Sequence, residues 1–233
     1  MYTFGSRVRY SEIDETQAMT LPALVNYFQD CSTFQSEALG VGLEALKKRG
    51  KAWILSSWQI LVERRPKLGE EISISTWPTG FEGFYGTRNF QIKDEADNVL
   101  AYANSVWVYM DIEKGRPTKP LEEEIAVYQI EKALEMDYAP RKIALPKETH
   151  EKPPFAVLHS QIDTNHHVNN CQYIQMALEV MPGCADAKQI RVEYKKSALF
   201  GDMIYPKIVE EPNRNVVELC DMEGKIFAVM EFQ

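Results

Sequence analysis

The chain of 233 residues carries a short polar segment twice. Ser11, Ile13 and Asp14 in SEIDETQAM match the same residue types in SQIDTNHHV, 149 residues further along the chain. The segment SQIDTNHHV begins at Ser160 and contains Asp163. Because the repeated unit is about half of the chain, the sequence indicates two related halves rather than one large domain.

A long helix is predicted after each copy of the segment. In the first half, Thr20 is a favoured N-cap residue and Pro22 is tolerated in a first helical turn. In the second half, Pro182 and Gly183 end the helical pattern. The residues at helical spacing are Leu24, Phe28, Cys31, Gln35 and Ala38 in the first half, and Cys171, Ile174, Leu178 and Met181 in the second.

Extended runs rich in β-branched and aromatic residues follow each helix, separated by turn residues, and predict antiparallel strands. They are Trp53–Glu63, Glu71–Trp77, Phe84–Lys93 and Val99–Asp111 in the first half, and Gln189–Tyr194, Met203–Glu211, Asn215–Cys220 and Lys225–Phe232 in the second. A sheet with a single helix to cover it is an α+β architecture.

The region from Gly115 to Pro154 breaks this pattern with six prolines. We interpret it as the connection between the halves, with a short helical stretch from Leu121 to Met136 inside it. The predicted organisation is an N-terminal domain over residues 1–125, a connector over 126–148 and a C-terminal domain over 149–233.

Composition excludes several classes of partner. A formal net charge of −8 disfavours nucleic acid and anionic membrane surfaces as partners, and there is no apolar run of the roughly 20 residues that a membrane span needs. The four cysteines are widely spaced and form no C-x-x-C pair. We therefore expect a soluble, cytoplasmic protein with reduced thiols and no metal site.

The two copies differ at residues with chemical potential. His166 and His167 stand where the first copy has Gln17 and Ala18. Imidazole titrates near neutral pH, so His167 is a candidate general base, and Asp163 could orient its ring. Asn165 and the first N–H groups of the following helix could stabilise an oxyanion. The alternative is structural, because Asp and Asn also cap helices and form turns, and surface histidines are often inert.

The segment IDTNHHVNNCQYI resembles the D-x-N-x-H-V-N-N-x-x-Y-I signature of plant and bacterial acyl-acyl carrier protein (acyl-ACP) thioesterases. The segments Trp53–Pro78 and Ser105–Asp111 also resemble the first domain of that family. This resemblance implies a double hot dog fold, with the acyl chain largely in the amino-terminal half. It also implies that Asp163, Asn165 and His167 are the catalytic residues.

One departure from the plant pattern bears on mechanism. The plant family has a Glu and a Cys after two basic residues, whereas this chain has Ser197 and Ala198 after Lys195 and Lys196. Alanine is no nucleophile, so we expect direct attack by a water that His167 activates. Ser197 could position that water through its hydroxyl.

Two other features each have a functional and a structural interpretation. Cys171, four residues after His167, could be a nucleophile, but its place on the apolar helix face favours a buried residue. The basic residues Lys195, Lys196, Arg64 and Arg65 could dock an acidic carrier protein, and a solvated charged face explains them equally well.

The resemblance implies hydrolysis of fatty acyl-ACP to free fatty acid and ACP, without a cofactor beyond the substrate's own pantetheine arm. An acyl-coenzyme A thioesterase and a non-catalytic acyl-thioester-binding protein are the alternatives. The sequence leaves open the preferred chain length and whether the protein forms a homodimer.

Overall fold

The computed structural model describes every residue from Met1 to Gln233. The chain divides into two compact units: the first contains Met1–Ser56 and Ile60–Tyr138, and the second contains Ser57–Gln59 and Ala139–Gln233. The domain limits predicted at residues 125 and 149 remain predictions. None of the helices is long and apolar enough to cross a bilayer.

The first unit consists of a long helix and a sheet whose strands follow the order β1-β3-β4-β5-β2. The pairs β1–β3, β3–β4 and β4–β5 are antiparallel, and α1 packs on β3. The elements are β1 (Tyr2–Arg7), α1 (Leu21–Ala38), α2 (Leu43–Lys48), β2 (Lys51–Val62), β3 (Glu71–Glu82), β4 (Tyr85–Asp94), β5 (Val99–Asp111), β6 (Arg116–Pro117) and α3 (Glu122–Ala126).

The second unit repeats this plan with a shorter helix. Its sheet has the order β9-β12-β11-β10-β7, every pair is antiparallel, and α4 packs on β11 and β12. The elements are β7 (His150–Glu151), β8 (Phe155–Ala156), α4 (Asn170–Val180), β9 (Gln189–Tyr194), β10 (Met203–Glu211), β11 (Arg214–Cys220) and β12 (Ile226–Phe232). One helix against an antiparallel sheet in each unit confirms the predicted α+β architecture.

Both long helices begin where the sequence predicts. The Thr20 hydroxyl accepts the N–H of Ala23, with Pro22 in the first turn of α1. Helix α4 starts after Asn169 and ends just before Pro182. The apolar face of α1 is buried, with Leu24, Phe28 and Cys31 fully enclosed. Capping and burial of one face therefore act together to define these helices.

The helix predicted within Leu121–Met136 is wrong over most of its length, because only Glu122–Ala126 is helical. Beyond it the chain is held on the sheet of the first unit. The buried Asn89 carboxamide oxygen accepts the N–H of Leu134 at 3.0 Å and the Tyr138 hydroxyl at 3.2 Å. These tertiary hydrogen bonds replace the ones that a continuing helix would make.

Candidate active site

The loop between Asp163 and Val168 is a closed turn built around one carboxylate. The N–H of Asp163 donates to the carbonyl of His167 at 2.7 Å. Asp163 Oδ1 accepts the N–H of Asn165 at 2.8 Å and that of His167 at 3.2 Å. The flanking residues Ile162 and Val168 pair as a β-bridge. Asp163 therefore fixes the backbone from which Asn165 and His167 project.

The same turn occurs in the first unit around Asp14. The N–H of Asp14 donates to the carbonyl of Ala18 at 2.9 Å, and Asp14 Oδ1 accepts the N–H groups of Thr16 and Ala18. The residue before the last position of each turn has positive φ, 61° at Gln17 and 63° at His166. The turn geometry is therefore independent of the two histidines.

The side chains of Asn165 and His167 are exposed and make no hydrogen bond within the protein. The Asp163 hydrogen bonds go to backbone N–H groups rather than to the His167 ring. Its other oxygen, Oδ2, accepts no hydrogen bond from the protein. An amide, an imidazole and a carboxylate oxygen are thus presented to solvent from one short turn. This set can bind a carbonyl oxygen and accept a proton from water.

The start of α4 offers fewer free donors than the sequence suggests. Asn169 Oδ1 accepts the N–H of Cys171 at 3.0 Å, and the N–H of Gln172 donates to the carbonyl of Asn169 at 2.9 Å. Two of the first N–H groups are thus already engaged. Cys171 itself is buried, as the apolar helix face predicts.

The segment after β9 contacts the turn through Ala198. The N–H of Val168 donates to the carbonyl of Ala198 at 2.9 Å, and the N–H of Ala198 donates to the Tyr173 hydroxyl at 2.8 Å. Burial raises the pKa of Tyr173 to about 12, so this hydroxyl is neutral at physiological pH. The structure therefore brings Ser197, which is exposed, beside the Asp163 turn.

Of the four basic residues, Lys195 and Lys196 lie next to this turn in the second unit. Their ammonium groups reach Glu193 at 3.4 Å and Asp221 at 3.0 Å, and Lys196 also lies over the Phe227 ring. Their side chains are still 36% and 51% exposed, which leaves both able to meet a partner.

Arg64 and Arg65 lie in the first unit and are occupied by carboxylates. Arg64 binds Glu70 through two hydrogen bonds of 2.8 and 2.9 Å. Arg65 binds Asp14 Oδ2, and its side chain is only 12% exposed. Arg65 therefore has a structural contact that the sequence did not indicate.

Tyr173 and Asp202 shape the segment beside the turn, although neither was among the predicted site residues. Asp202 Oδ2 accepts the N–H of Leu199 at 2.9 Å. The sequence did contain a signal for this segment. The block RRPKLGE (residues 64–70) has a glycine at the same position as the block KSALFGD (residues 196–202). Both glycines have a φ of 83°. Aligning these two blocks would have placed Ser197 opposite Arg65.

Two family models match the chain. The model described as the acyl-ACP thioesterase N-terminal domain matches residues 1–128, and the model described as the acyl-ACP thioesterase C-terminal domain matches residues 144–224. The second match contains the Asp163 turn and Ser197.

Similar proteins are known from plants and bacteria. A chloroplastic acyl-[acyl-carrier-protein] hydrolase of Cuphea viscosissima is 28% identical over 189 residues, which is 75% of this chain and 45% of the relative. The chain thus spans about half the length of this curated relative. An acyl-ACP thioesterase structure from Bacteroides thetaiotaomicron superposes with a TM-score of 0.88 at 21% identity, covering 99% of this chain and 96% of that one. The 12:0-ACP thioesterase of Umbellularia californica gives a TM-score of 0.86 at 19% identity, covering 99% and 96%.

Proposed function

The chain belongs to the acyl-ACP thioesterase family, with one hot dog domain in each half, and on that premise we propose that it hydrolyses fatty acyl-ACP. The products are a free fatty acid and ACP with its pantetheine thiol, and this activity belongs to fatty acid biosynthesis. The reaction takes place at the Asp163 turn and needs no cofactor of its own. Four buried cysteines without a disulfide bond suit a reducing compartment, which supports a cytoplasmic location.

In the proposed mechanism, the His167 imidazole takes a proton from water while the water oxygen attacks the thioester carbonyl carbon. Asn165 donates its amide N–H to the carbonyl oxygen, which becomes an oxyanion in the tetrahedral intermediate. The free Oδ2 of Asp163 stabilises the imidazolium that forms. When the intermediate collapses, the carbon–sulfur bond breaks, and the imidazolium returns its proton to the departing thiolate.

The observation that carries this proposal is the pair of unengaged side chains on one hydrogen-bonded turn. Asp163 Oδ1 accepts the backbone N–H groups of both Asn165 and His167, so the backbone that carries the two side chains is fixed before substrate binds. A base and an oxyanion donor on a fixed backbone need less reorganisation during reaction than groups on a mobile loop. Ser197 lies beside this turn and supports the incoming water through its hydroxyl.

The first unit supplies matched substitutions for a test. His167→Ala introduces the residue found at the equivalent position 18, and His166→Gln introduces the residue found at position 17. Both new side chains are therefore compatible with the turn geometry. We expect His167→Ala to lower kcat for acyl-ACP by about 10² to 10⁴-fold, since a general base is lost. His166→Gln should keep activity near wild type.

The assay should measure release of ACP thiol from a series of acyl-ACPs of increasing chain length. Equal losses in both variants would mean that turn distortion, not base catalysis, is responsible. A wild-type protein that binds acyl-ACP without turnover would instead indicate the non-catalytic binding protein. An acyl group trapped covalently on Cys171 or Ser197 in a quenched reaction would contradict direct attack by water.

We also propose that Lys195 and Lys196 receive the acidic surface of ACP, because both are exposed beside the turn. Replacing both with Glu should raise KM for acyl-ACP at least about tenfold through like-charge repulsion while leaving kcat/KM for a small acyl-pantetheine thioester nearly unchanged. Equal effects on the two substrates would contradict docking. Comparing kcat/KM for one acyl chain on ACP and on coenzyme A separates the ACP-specific activity from the acyl-coenzyme A alternative.

A further inference from the structure

The two Asp turns differ in what meets the second carboxylate oxygen. In the first unit, Arg65 donates from Nη1 to Asp14 Oδ2 and also to the carbonyl of Met19 at 3.3 Å. Burial alone would raise the pKa of Asp14, but the hydrogen bonds from Thr16 and Arg65 outweigh it and lower that pKa to about 2. Both oxygens of Asp14 are therefore committed to the protein.

Position 197 of the second unit is the structural equivalent of position 65. The N–H of Met19 donates to the carbonyl of Pro66 at 2.8 Å, just as that of Val168 donates to Ala198 at 2.9 Å. Pro66 and Ala198 are the residues that directly follow the two equivalent positions. Each segment therefore attaches to its own Asp turn at the same point.

The remaining backbone hydrogen bonds agree with this equivalence. Val8 N–H donates to the Glu70 carbonyl, and Val157 N–H donates to the Asp202 carbonyl, both at 2.9 Å. The N–H of Gly69 returns to the carbonyl of Val8 at 3.0 Å, and the second unit repeats this bond from Gly201 to Val157 at 3.2 Å. The match covers the whole segment, so Arg65 and Ser197 start from the same backbone site.

The Arg65 side chain is long enough for its Nη1 atom to bind the Asp14 carboxylate. The Ser197 side chain ends at Oγ and is too short to make the equivalent contact with Asp163. No other residue of the chain replaces the missing guanidinium, because Asp163 Oδ2 accepts no hydrogen bond and joins no ion pair. Three features thus separate the turns: Asn165 in place of Thr16, His167 in place of Ala18, and a short neutral side chain at position 197 in place of Arg65.

We propose that Ser197 keeps the turn of the second unit active by leaving Asp163 Oδ2 without a cation, whereas the Arg65–Asp14 ion pair gives the equivalent oxygen of the first unit a purely structural role. Ser197 is in this sense a positioning residue, since its small neutral side chain leaves the carboxylate to serve His167. A guanidinium at position 197 would bind that oxygen and disfavour the imidazolium. This inference rests on the proposed function, in which Asp163 supports His167.

The test compares Ser197→Arg with Ser197→Gln, which adds length without charge. Because residue 197 is exposed, both variants should fold, as far-UV circular dichroism would check. We expect Ser197→Arg to lower kcat for acyl-ACP at least about 100-fold, in the range of a disabled general base. Ser197→Gln loses the same hydroxyl without adding a charge, so its kcat should fall much less than that of Ser197→Arg.

A second readout is independent of activity. A crystal structure of Ser197→Arg should show the new guanidinium within hydrogen-bonding distance of Asp163 Oδ2, and Arg65→Ser should raise the pKa of Asp14 in an NMR titration. A guanidinium on Asp163 Oδ2 together with lost turnover supports the proposal. A guanidinium that makes no contact with Oδ2, full activity of Ser197→Arg, or equal losses in the Gln and Arg variants overturns it. If the wild type hydrolyses no thioester, the proposed function fails, while the crystal structure still decides whether position 197 controls the carboxylate.

Discussion

At the residue scale, Asp14 and Asp163 show how one side chain can have two separate duties. In each, Oδ1 holds the backbone of its own turn, which is a folding role. The two aspartates differ at Oδ2, which forms an ion pair with Arg65 in Asp14 and accepts no hydrogen bond from the protein in Asp163. A carboxylate has acceptor sites for both duties at once. Catalytic use of Asp163 therefore does not conflict with its structural use.

The Arg65–Asp14 pair makes a prediction about acid stability. Because the pKa of Asp14 is lowered from 3.8 to about 2 in the folded protein, its contribution is present above about pH 4 and is lost as the pH falls toward 2. Asp14→Asn keeps an oxygen for the turn but loses the charge. The difference in free energy of unfolding between wild type and Asp14→Asn should therefore shrink over that range.

Urea unfolding at a series of pH values measures this difference. Asp97→Asn, at a carboxylate that is 82% exposed, is the comparison variant. A constant gap between wild type and Asp14→Asn from pH 5 to pH 2 would show that the Arg65 ion pair does not stabilise the fold.

At the scale of elements, hydrophobic patterning predicted most strands closely. The limits of β5, β9 and β10 are those expected from the sequence. Strand β3 runs past Trp77 to Glu82, although Pro78 lacks an N–H, because its pairing with β4 shifts register between Pro78 and Gly80. Local sequence therefore locates a strand better than it locates the strand's end.

The parts that the sequence did not predict depend on distant contacts. Strand β1 is short and only half-buried, so its residues carry no strong apolar pattern. The Arg65–Asp14 contact joins residues 51 positions apart, and no motif encodes it. In contrast, Asp163, Asn165 and His167 could be predicted as a candidate site because all three lie within one short segment. Proximity along the chain, rather than chemical type, decided which site residues could be predicted.

At the scale of the whole molecule, the connector is held by hydrogen bonds to both units. Residues before Ala139 are held in the first unit by Asn89, as described above. Residues after it are held in the second unit by two arginines: Arg191 donates to the carbonyls of Pro140 and Lys142, and Arg214 donates to that of Ala144. The first half of the connector is thus part of the first unit, and the second half is part of the second unit.

Glu231 holds both of these arginines in place. It is 1% exposed and forms ion pairs with Arg191 at 2.7 Å and Arg214 at 3.0 Å. Removing a buried counter-ion leaves its partners uncompensated, so Glu231→Ala should lower the free energy of unfolding by about 3 kcal/mol or more.

Chemical unfolding followed by circular dichroism would check this value. Glu223→Ala removes a carboxylate that is 68% exposed and paired only with Lys225, and it should cost less than about 1 kcal/mol. If the two substitutions destabilise the protein equally, the connector is held by apolar contacts such as that of Ile143 rather than by the arginine pairs.

The duplicated turn also bears on how this protein could evolve. Its geometry requires one aspartate, backbone groups and a residue that accepts positive φ. Residue 167 is exposed in this geometry, whereas Ala18 is buried, at 3% exposure. Mutations at an exposed position are usually close to neutral for folding. The Asp163 turn could therefore change at position 167 without loss of the fold, whereas a larger side chain at position 18 would have to displace core atoms.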